Sequence, residues 1–502
     1  MNDPIVVIGA GPAGLTAAYE LTKRGVRPDV FDGDTQVGGL ARTVVYKNFR
    51  FDIGGHRFFT KATAVRELWH ELLGKDLLQR PRLSRIYYRG RFFDYPLKAL
   101  NVVTNLGLIT SVAVLASYAR ARISPVRPEV SLEDWICNRF GRRLFDMFFK
   151  SYTEKVWGIP CSQIGAQWAA QRIKGLSLWT AVLSMLGVGR EGQIKTLIHE
   201  FEYPRLGPGM MWEECRDRIV AAGGRVTLES RVVELRHDGE RIHTAVIEDR
   251  GGRREQPASQ VISTMPVRHL VRTLTPAAPD TVRAAAERLK YRDFLTVALI
   301  VDQEHVFPDN WIYIHEPSVR VGRVQNFKNW SPEMVPDTRL TCLGLEYFCS
   351  EGDDLWRMSD QALIDLAKRE IVAIGLVRPG SVTDATVLRV FKAYPVYDDG
   401  YLEALTTIRE WLKRFANLQL VGRNGMHKYN NQDHSMLTAM LAVRNLFGER
   451  HDLWEVNADE EYHEQVERPE PDAAAGIAAD VGRLAGTQPI VPRSIPVRQR
   501  EP

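Results

Sequence analysis

Three glycines near the N-terminus stand where only glycine would serve a phosphate ligand. In PIVVIGAGPAG a β-branched run, Ile5 to Ile8, delivers Gly9, Gly11 and Gly14 in a G-x-G-x-x-G array. With Pro12 and Ala13 between them, they open an apolar-periodic helix, LTAAYELTKRG. Such a turn lets backbone approach a pyrophosphate whose charge then rests on the helix N-terminus. The next strand, DVF, leads to Asp32, where a carboxylate can accept hydrogen bonds from a ribose 2′-hydroxyl. An acid there argues against a 2′-phosphate, so a diphosphate dinucleotide other than NADP is expected.

Two further glycine-rich approaches choose the dinucleotide. Gly38, Gly39, Leu40, Ala41 and Arg42 form the first, and Gly54, Gly55 and His56 follow the strand-like FRFDI as the second. NAD needs neither loop, whereas the longer FAD, with its ribityl chain and isoalloxazine, needs both. FAD is therefore the expected cofactor.

These loops require a framework. A chain of 502 residues with 44% hydrophobic content can bury a large core and divide into two or three domains. A formal net charge of +4, with the basic residues scattered, does not suggest nucleic acid. Five cysteines without metal-ligand spacing suit a reducing compartment, and no signal peptide is evident, so the default expectation is cytoplasmic. The pattern reads as an α/β chain: a Rossmann-like FAD-binding domain (1–60, 191–289 and 415–450), a mainly helical insert (61–190), and a largely antiparallel sheet domain (290–414). Residues 468–502 read as a disordered tail.

One segment stands apart. Ala99 to Tyr118 carries no charge and is flanked by Lys98 and Arg120. Asn101, Thr104, Asn105, Thr110 and Ser111 dilute the run and favour a buried helix of the insert over a membrane span. Peripheral membrane contact through 99–118 stays open.

Other motifs carry a resemblance. Gly54-Gly55-His56, Tyr95-Pro96, the YTEKVW block (152–157), Trp168 with Arg172, Tyr203-Pro204-Arg205 with Gly207-Pro208-Gly209, Trp311-Ile312-Tyr313, Arg323, Tyr394-Pro395, and Gly422-Arg423 with Asn431-Gln432-Asp433-His434 are similar to those of the eukaryotic-type UDP-galactopyranose mutases. That family lies within the amine oxidase and protoporphyrinogen oxidase flavin superfamily. The resemblance runs in patches from Val6 to about Leu446.

It implies a redox-neutral reaction: reduced FAD N5 attacks the anomeric carbon of a nucleoside-diphosphate hexose, and pyranose and furanose forms interconvert through the covalent adduct. Arg172 and Arg323 match the diphosphate arginines, a task suited to guanidinium. Arg320, close by, is a rival for the second. Tyr313, Tyr394 and Tyr429 match phenols around diphosphate and flavin. His56 matches a histidine beside the flavin ring, and Tyr95 and Trp157 fall in the substrate motifs. Val232, Gly422, Arg423, Asn431 and Gln432 complete the cofactor set. NADPH or NADH as external reductant stays open.

Thr153 stands where the family usually has asparagine, Lys98 where a glutamine meets the nucleotide, and Leu97 where an aromatic stacks on uracil. These departures leave base and sugar open. The rival class is an FAD-dependent oxidoreductase of the amine oxidase, protoporphyrinogen oxidase or desaturase type, acting on a small or lipid-like substrate.

Overall fold

The computed structural model describes residues 4–166 and 199–456, apart from Pro96 and Asp399. Ile5–Ile8 is the middle of a five-stranded parallel sheet in the order Leu418–Leu420, Gln260–Ser263, Ile5–Ile8, Asp29–Phe31, Arg225–Thr227. All four residues of the central strand are buried, as a strand covered on both faces requires. The helix Pro12–Thr22 rises from it and packs on the helices Gln432–Leu446 and Gly209–Ala221. Three distant parts of the chain thus close on the glycine turn.

The three strands that follow Thr227 directly leave that sheet before Gln260–Ser263 returns to it. Arg231–His237, Ile242–Asp249 and Gly252–Pro257 form an antiparallel meander, and Leu274–Thr275 runs parallel to the first of them.

A seven-stranded sheet carries the other half of the molecule. Its order is Val382–Pro395, Tyr291–Val301, Thr341–Cys349, Arg323–Asn326, Trp311–Ile314, Ser84–Tyr88, Arg91–Asp94. Every pairing is antiparallel except that of Trp311–Ile314 with Ser84–Tyr88. The last two strands come from the stretch expected to be mainly helical. Their hairpin turns at Arg89 and Gly90, both at positive φ (+49° and +74°), the backbone that a tight two-residue turn demands. Each strand is too short to show a period of two in the sequence.

Residues 99–123 correct a further expectation. They form two helices, Ala99–Leu106 and Leu108–Ile123, broken at Gly107, whose φ is +79°. In the second helix only Ser111 and Val114 are buried, so this is not the buried helix expected. Among the described residues no helix is long and apolar enough to cross a membrane.

Candidate active site

The glycine turn has no room for side chains. A Cβ on Gly14 would lie 1.8 Å from the Gly9 carbonyl oxygen, and one on Gly39 would lie 3.1 Å from the Gly11 Cα. The first two glycine loops therefore touch backbone to backbone, tied by the Gly38 N–H donating to the Ala10 carbonyl at 2.8 Å. Asp32 braces the same turn: its carboxylate accepts from the backbone N–H groups of Ala10 (2.6 Å) and Asp34 (2.8 Å). Burial raises its pKa while those donors oppose the shift. Arg42 is held by Asp34 at 2.6 Å.

Across the cleft, Asn431 caps the helix Gln432–Leu446, and a Cβ on Gly422 would press on the Ala13 side chain at 2.9 Å. The Gln432 amide is buried, with neither its oxygen nor its nitrogen partnered among the described residues. Val232 is buried just beyond Ser230, whose N–H donates to the Asp32 carbonyl. A glycine cradle, a helix N-terminus capped by no side chain and an orphaned buried amide fit a long diphosphate cofactor.

The other end of the cleft is built by register. Tyr313 is directly opposite Arg323, and Arg323 directly opposite Glu346, so the three form one row across antiparallel strands. Both Arg323 Nε and Nη2 donate to Glu346 Oε2, and Gln325 Nε2 donates to Oε1 at 2.9 Å. Desolvation is the largest influence and works against the Arg323 charge, but Glu346 together with Tyr152, Tyr394 and Tyr313 outweighs it, so the pKa is raised. A Cβ on Gly54 would stand only 3.7 Å from Arg323 Nη2, which seats the third glycine loop on this arginine.

His56 lies in the same positive field. Burial first, then Arg423 and Arg323, push its imidazole down to about 3, so it is neutral at physiological pH; among the described residues its Nδ1 has no partner. The Arg423 guanidinium lies 5.6 Å from the Tyr394 ring and 5.0 Å from that of Tyr429, whose rings stack at 5.8 Å. It donates to the carbonyls of Ala393 and Asn430, fixing the strand end that carries Tyr394 to the loop that carries Tyr429. Burial pushes the Tyr394 phenol up to about 12, against the arginines, so it remains a donor. On the opposite side Tyr95 and Tyr152 meet the Tyr313 ring at 5.0 and 5.4 Å.

A family model described as flavin containing amine oxidoreductase matches residues 12–422. The chain belongs to that family. Over 152 residues it is 27% identical to protoporphyrinogen oxidase 2, chloroplastic/mitochondrial, of Arabidopsis thaliana, a stretch covering 28% of this chain and 30% of that protein. The chain thus spans less than a third of that relative's length. Among solved structures, reduced UDP-galactopyranose mutase is similar with a TM-score of 0.79 at 21% identity, over 97% of this chain and 99% of the other. An engineered putrescine oxidase gives a TM-score of 0.60 at 16% identity, over 89% and 98%. At these identities the likeness is one of fold: an α/β FAD-binding fold with several mixed and antiparallel sheets.

Within this member of the family the other sequence-predicted residues are distributed unevenly. Arg172 and Trp168 lie outside the described residues. Lys98 is exposed on the helical layer, 3.3 Å from Asp94, and solvates its charge there rather than in the cleft. Trp157 is buried in the core of the helical layer and lines a cavity of about 520 Å³ that His56, Arg323 and Tyr394 do not line. Thr153 is half-buried on the helix Ser151–Trp157. Arg320 is spent on a surface pair with Asp354 at 2.6 Å, which leaves Arg323 as the inner arginine.

Five neighbours were not singled out by sequence reasoning. Glu346 is a polar interruption of an apolar strand, and Gln325 sits in the polar strand Arg323–Asn326 with no signal of its own. Tyr152 stacks on His315 at 4.9 Å within the YTEKVW block. Arg57 and Arg82 both lie over the Trp311 ring, at 4.7 and 5.3 Å. Arg57 directly follows the Gly-Gly-His motif, and that adjacency was the available clue.

Proposed function

We propose that the protein is a flavin-dependent mutase that interconverts the pyranose and furanose forms of a nucleoside-diphosphate hexose. The observation that carries this reading is the charge of the cleft: Arg423, Arg323 and Arg57 all act on the His56 imidazole as positive charges, and Glu346 is committed to Arg323. A protonated amine would be repelled there, whereas a diphosphate is attracted.

FAD, held by the Gly9–Gly14 turn, Asp32, Gly38–Arg42 and Gln432, would supply in its reduced form an electron-rich ring nitrogen able to act as nucleophile. The chain's own residues do the rest. Arg323 keeps its Nη1 hydrogens free among the described residues, oriented by the grip of Glu346 on the other side of the fork. Tyr313, Tyr394 and Tyr429 add phenolic donors without further charge. As the anomeric bond breaks, negative charge grows on the diphosphate and the Arg323 contact strengthens, which lowers the barrier rather than merely binding substrate. His56, neutral at pH 7, contributes a hydrogen bond near the flavin and no proton shuttle.

The family membership and the protoporphyrinogen oxidase relative favour a second reading, oxidation of a small or lipid-like substrate. The two are separated by incubating dithionite-reduced protein anaerobically with UDP-, dTDP- and GDP-hexoses and resolving products by chromatography. A product of unchanged mass, formed only after flavin reduction, supports the mutase. No isomer from any sugar under these conditions, together with stoichiometric hydrogen peroxide and an oxidised organic product when the oxidised protein meets an oxidisable substrate in air, overturns it.

A further inference from the structure

The two helices of 99–123 present an apolar stripe to solvent. Leu108, Val112, Leu115 and Ile123 follow one another at helical spacing and are exposed, Leu108 at 76% and Ile123 at 85%. Ile109, 89% exposed, and Leu100, 66% exposed, flank the break at Gly107 and make the stripe a protruding edge rather than a groove. Exposed apolar surface of this extent on one element marks an interaction site.

Charge selects the partner. No Asp or Glu occurs from Tyr95 to Pro128, while Arg120, Arg122 and Arg127 cluster at the far end of the stripe and make no ion pair among the described residues. Lys98 adds a cation at the near end, beside Asp94. An amphipathic helix with protruding aliphatic side chains and a basic rim is suited to lie in the plane of a bilayer carrying anionic lipid, its apolar side sunk to the headgroup boundary. A protruding edge needs no complementary pocket in a fluid interface, as it would in a protein partner. The helix Leu108–Ile123, interrupted at Gly107, is too short to span.

We propose that residues 99–123 dock the protein peripherally on an anionic membrane surface. The docking element is coupled to the cleft. Asn105 Nδ2 donates to the Phe92 carbonyl at 3.1 Å and Asn101 Oδ1 accepts from the Asp94 N–H at 3.0 Å, tying the first helix to the strand Arg91–Asp94. That strand is two places from Trp311–Ile314, which carries Tyr313. Docking would set the mouth of the cleft close to the bilayer, whichever substrate class it takes.

The test is co-sedimentation of the flavin-loaded full chain with sucrose-loaded vesicles of phosphatidylcholine alone or with about 30% phosphatidylglycerol, enough anionic lipid to attract a basic rim. Binding is expected to the mixed vesicles, to weaken with salt, and to fall at least tenfold in Leu108→Asp/Ile109→Asp and in Arg120→Glu/Arg122→Glu, both at exposed positions. An Ile109→Trp variant reports insertion directly, by a blue shift of its emission on mixed vesicles only. The proposal is overturned if the wild type ignores both vesicles, if the charge variants bind like wild type, or if the emission of the Ile109→Trp variant does not shift. It is equally overturned if the Leu108/Ile109 variant only converts a dimer to a monomer in light scattering.

Discussion

Arg323 and Glu346 face each other across adjacent antiparallel strands, and the acid has no exposed surface. The pair gives the arginine a fixed orientation, because two of its three nitrogens are committed to one carboxylate oxygen. It also means that the two residues cannot be probed one at a time. Removing one member of a buried pair strands the other charge, at a cost of roughly 3–5 kcal/mol.

The diphosphate role of Arg323 is therefore separated from its structural role by a double variant. Arg323→Ala alone should lower the melting temperature sharply, whereas Arg323→Met with Glu346→Gln should recover most of that loss. In the double variant nucleotide-sugar binding should still fall about tenfold to a hundredfold, the worth of a charge-assisted contact of ~1.5–3 kcal/mol. Titration calorimetry on the reduced protein reads the affinity. A double variant that binds like wild type would place the diphosphate elsewhere.

Two glycines in positive-φ or crowded positions should respond differently to alanine. Gly14→Ala puts a Cβ inside the Gly9 carbonyl and cannot be accommodated without opening the turn, so flavin should be lost from the purified protein. Gly25, at φ +74° with open space around it, should keep its flavin as alanine and lose only about 1 kcal/mol to backbone strain. The ratio of flavin to protein absorbance checks both. Equal flavin content in the two variants would contradict the packing.

The parts legible in the sequence were those with a local rule. The glycine array, Asp32 and the long strands Tyr291–Val301 and Thr341–Cys349 announce themselves by steric need or by continuous apolar runs. Glu346 did not, because an acid in LTCLGLEYF looks like any polar interruption until Arg323 is known to lie opposite. The hairpin of Ser84–Tyr88 and Arg91–Asp94 stayed hidden because its partner strand, Trp311–Ile314, is far away along the chain. Residues 99–118 misled for the same reason: an uncharged run says that water is disfavoured, not which surface replaces it.

Lys155, in the YTEKVW block, gives a prediction that the resemblance did not offer. Its ammonium donates to three carbonyls, of Ile314, Glu316 and Val321, and so ties down the turn between the Tyr313 and Arg323 strands. Lys155→Met should leave three carbonyls short of a donor and cost about 1–3 kcal/mol. The loss should appear as faster proteolysis at 315–322 and weaker substrate binding, with the flavin spectrum unchanged. An unaltered cleavage pattern would show that the turn holds itself.

The last prediction concerns acid. Burial pushes His56 and His315 down to about 3, and His269 and His427 to about 4. In the unfolded chain each takes up a proton below about 6.5, while in the folded protein it does not. Their stabilising contribution is thus complete above about pH 6.5 and is lost as the pH falls toward about 4. Asp52 has the opposite sign. Fully buried, accepting hydrogen bonds from Tyr203 and Thr43, its carboxyl is pushed from 3.8 up to about 7, so its contribution is present below pH 3.8 and is lost as the pH rises through 7. Between these limits the four histidines act against the one aspartate, so the unfolded chain binds more protons than the folded one and stability falls as the pH falls. The melting temperature should therefore be lower at pH 5 than at pH 7.5. Asp52→Asn removes the opposing group and should make that acid loss steeper. If wild type melts alike at both pH values, the histidines are not held neutral; if Asp52→Asn follows wild type in parallel, Asp52 is ionised in its buried site.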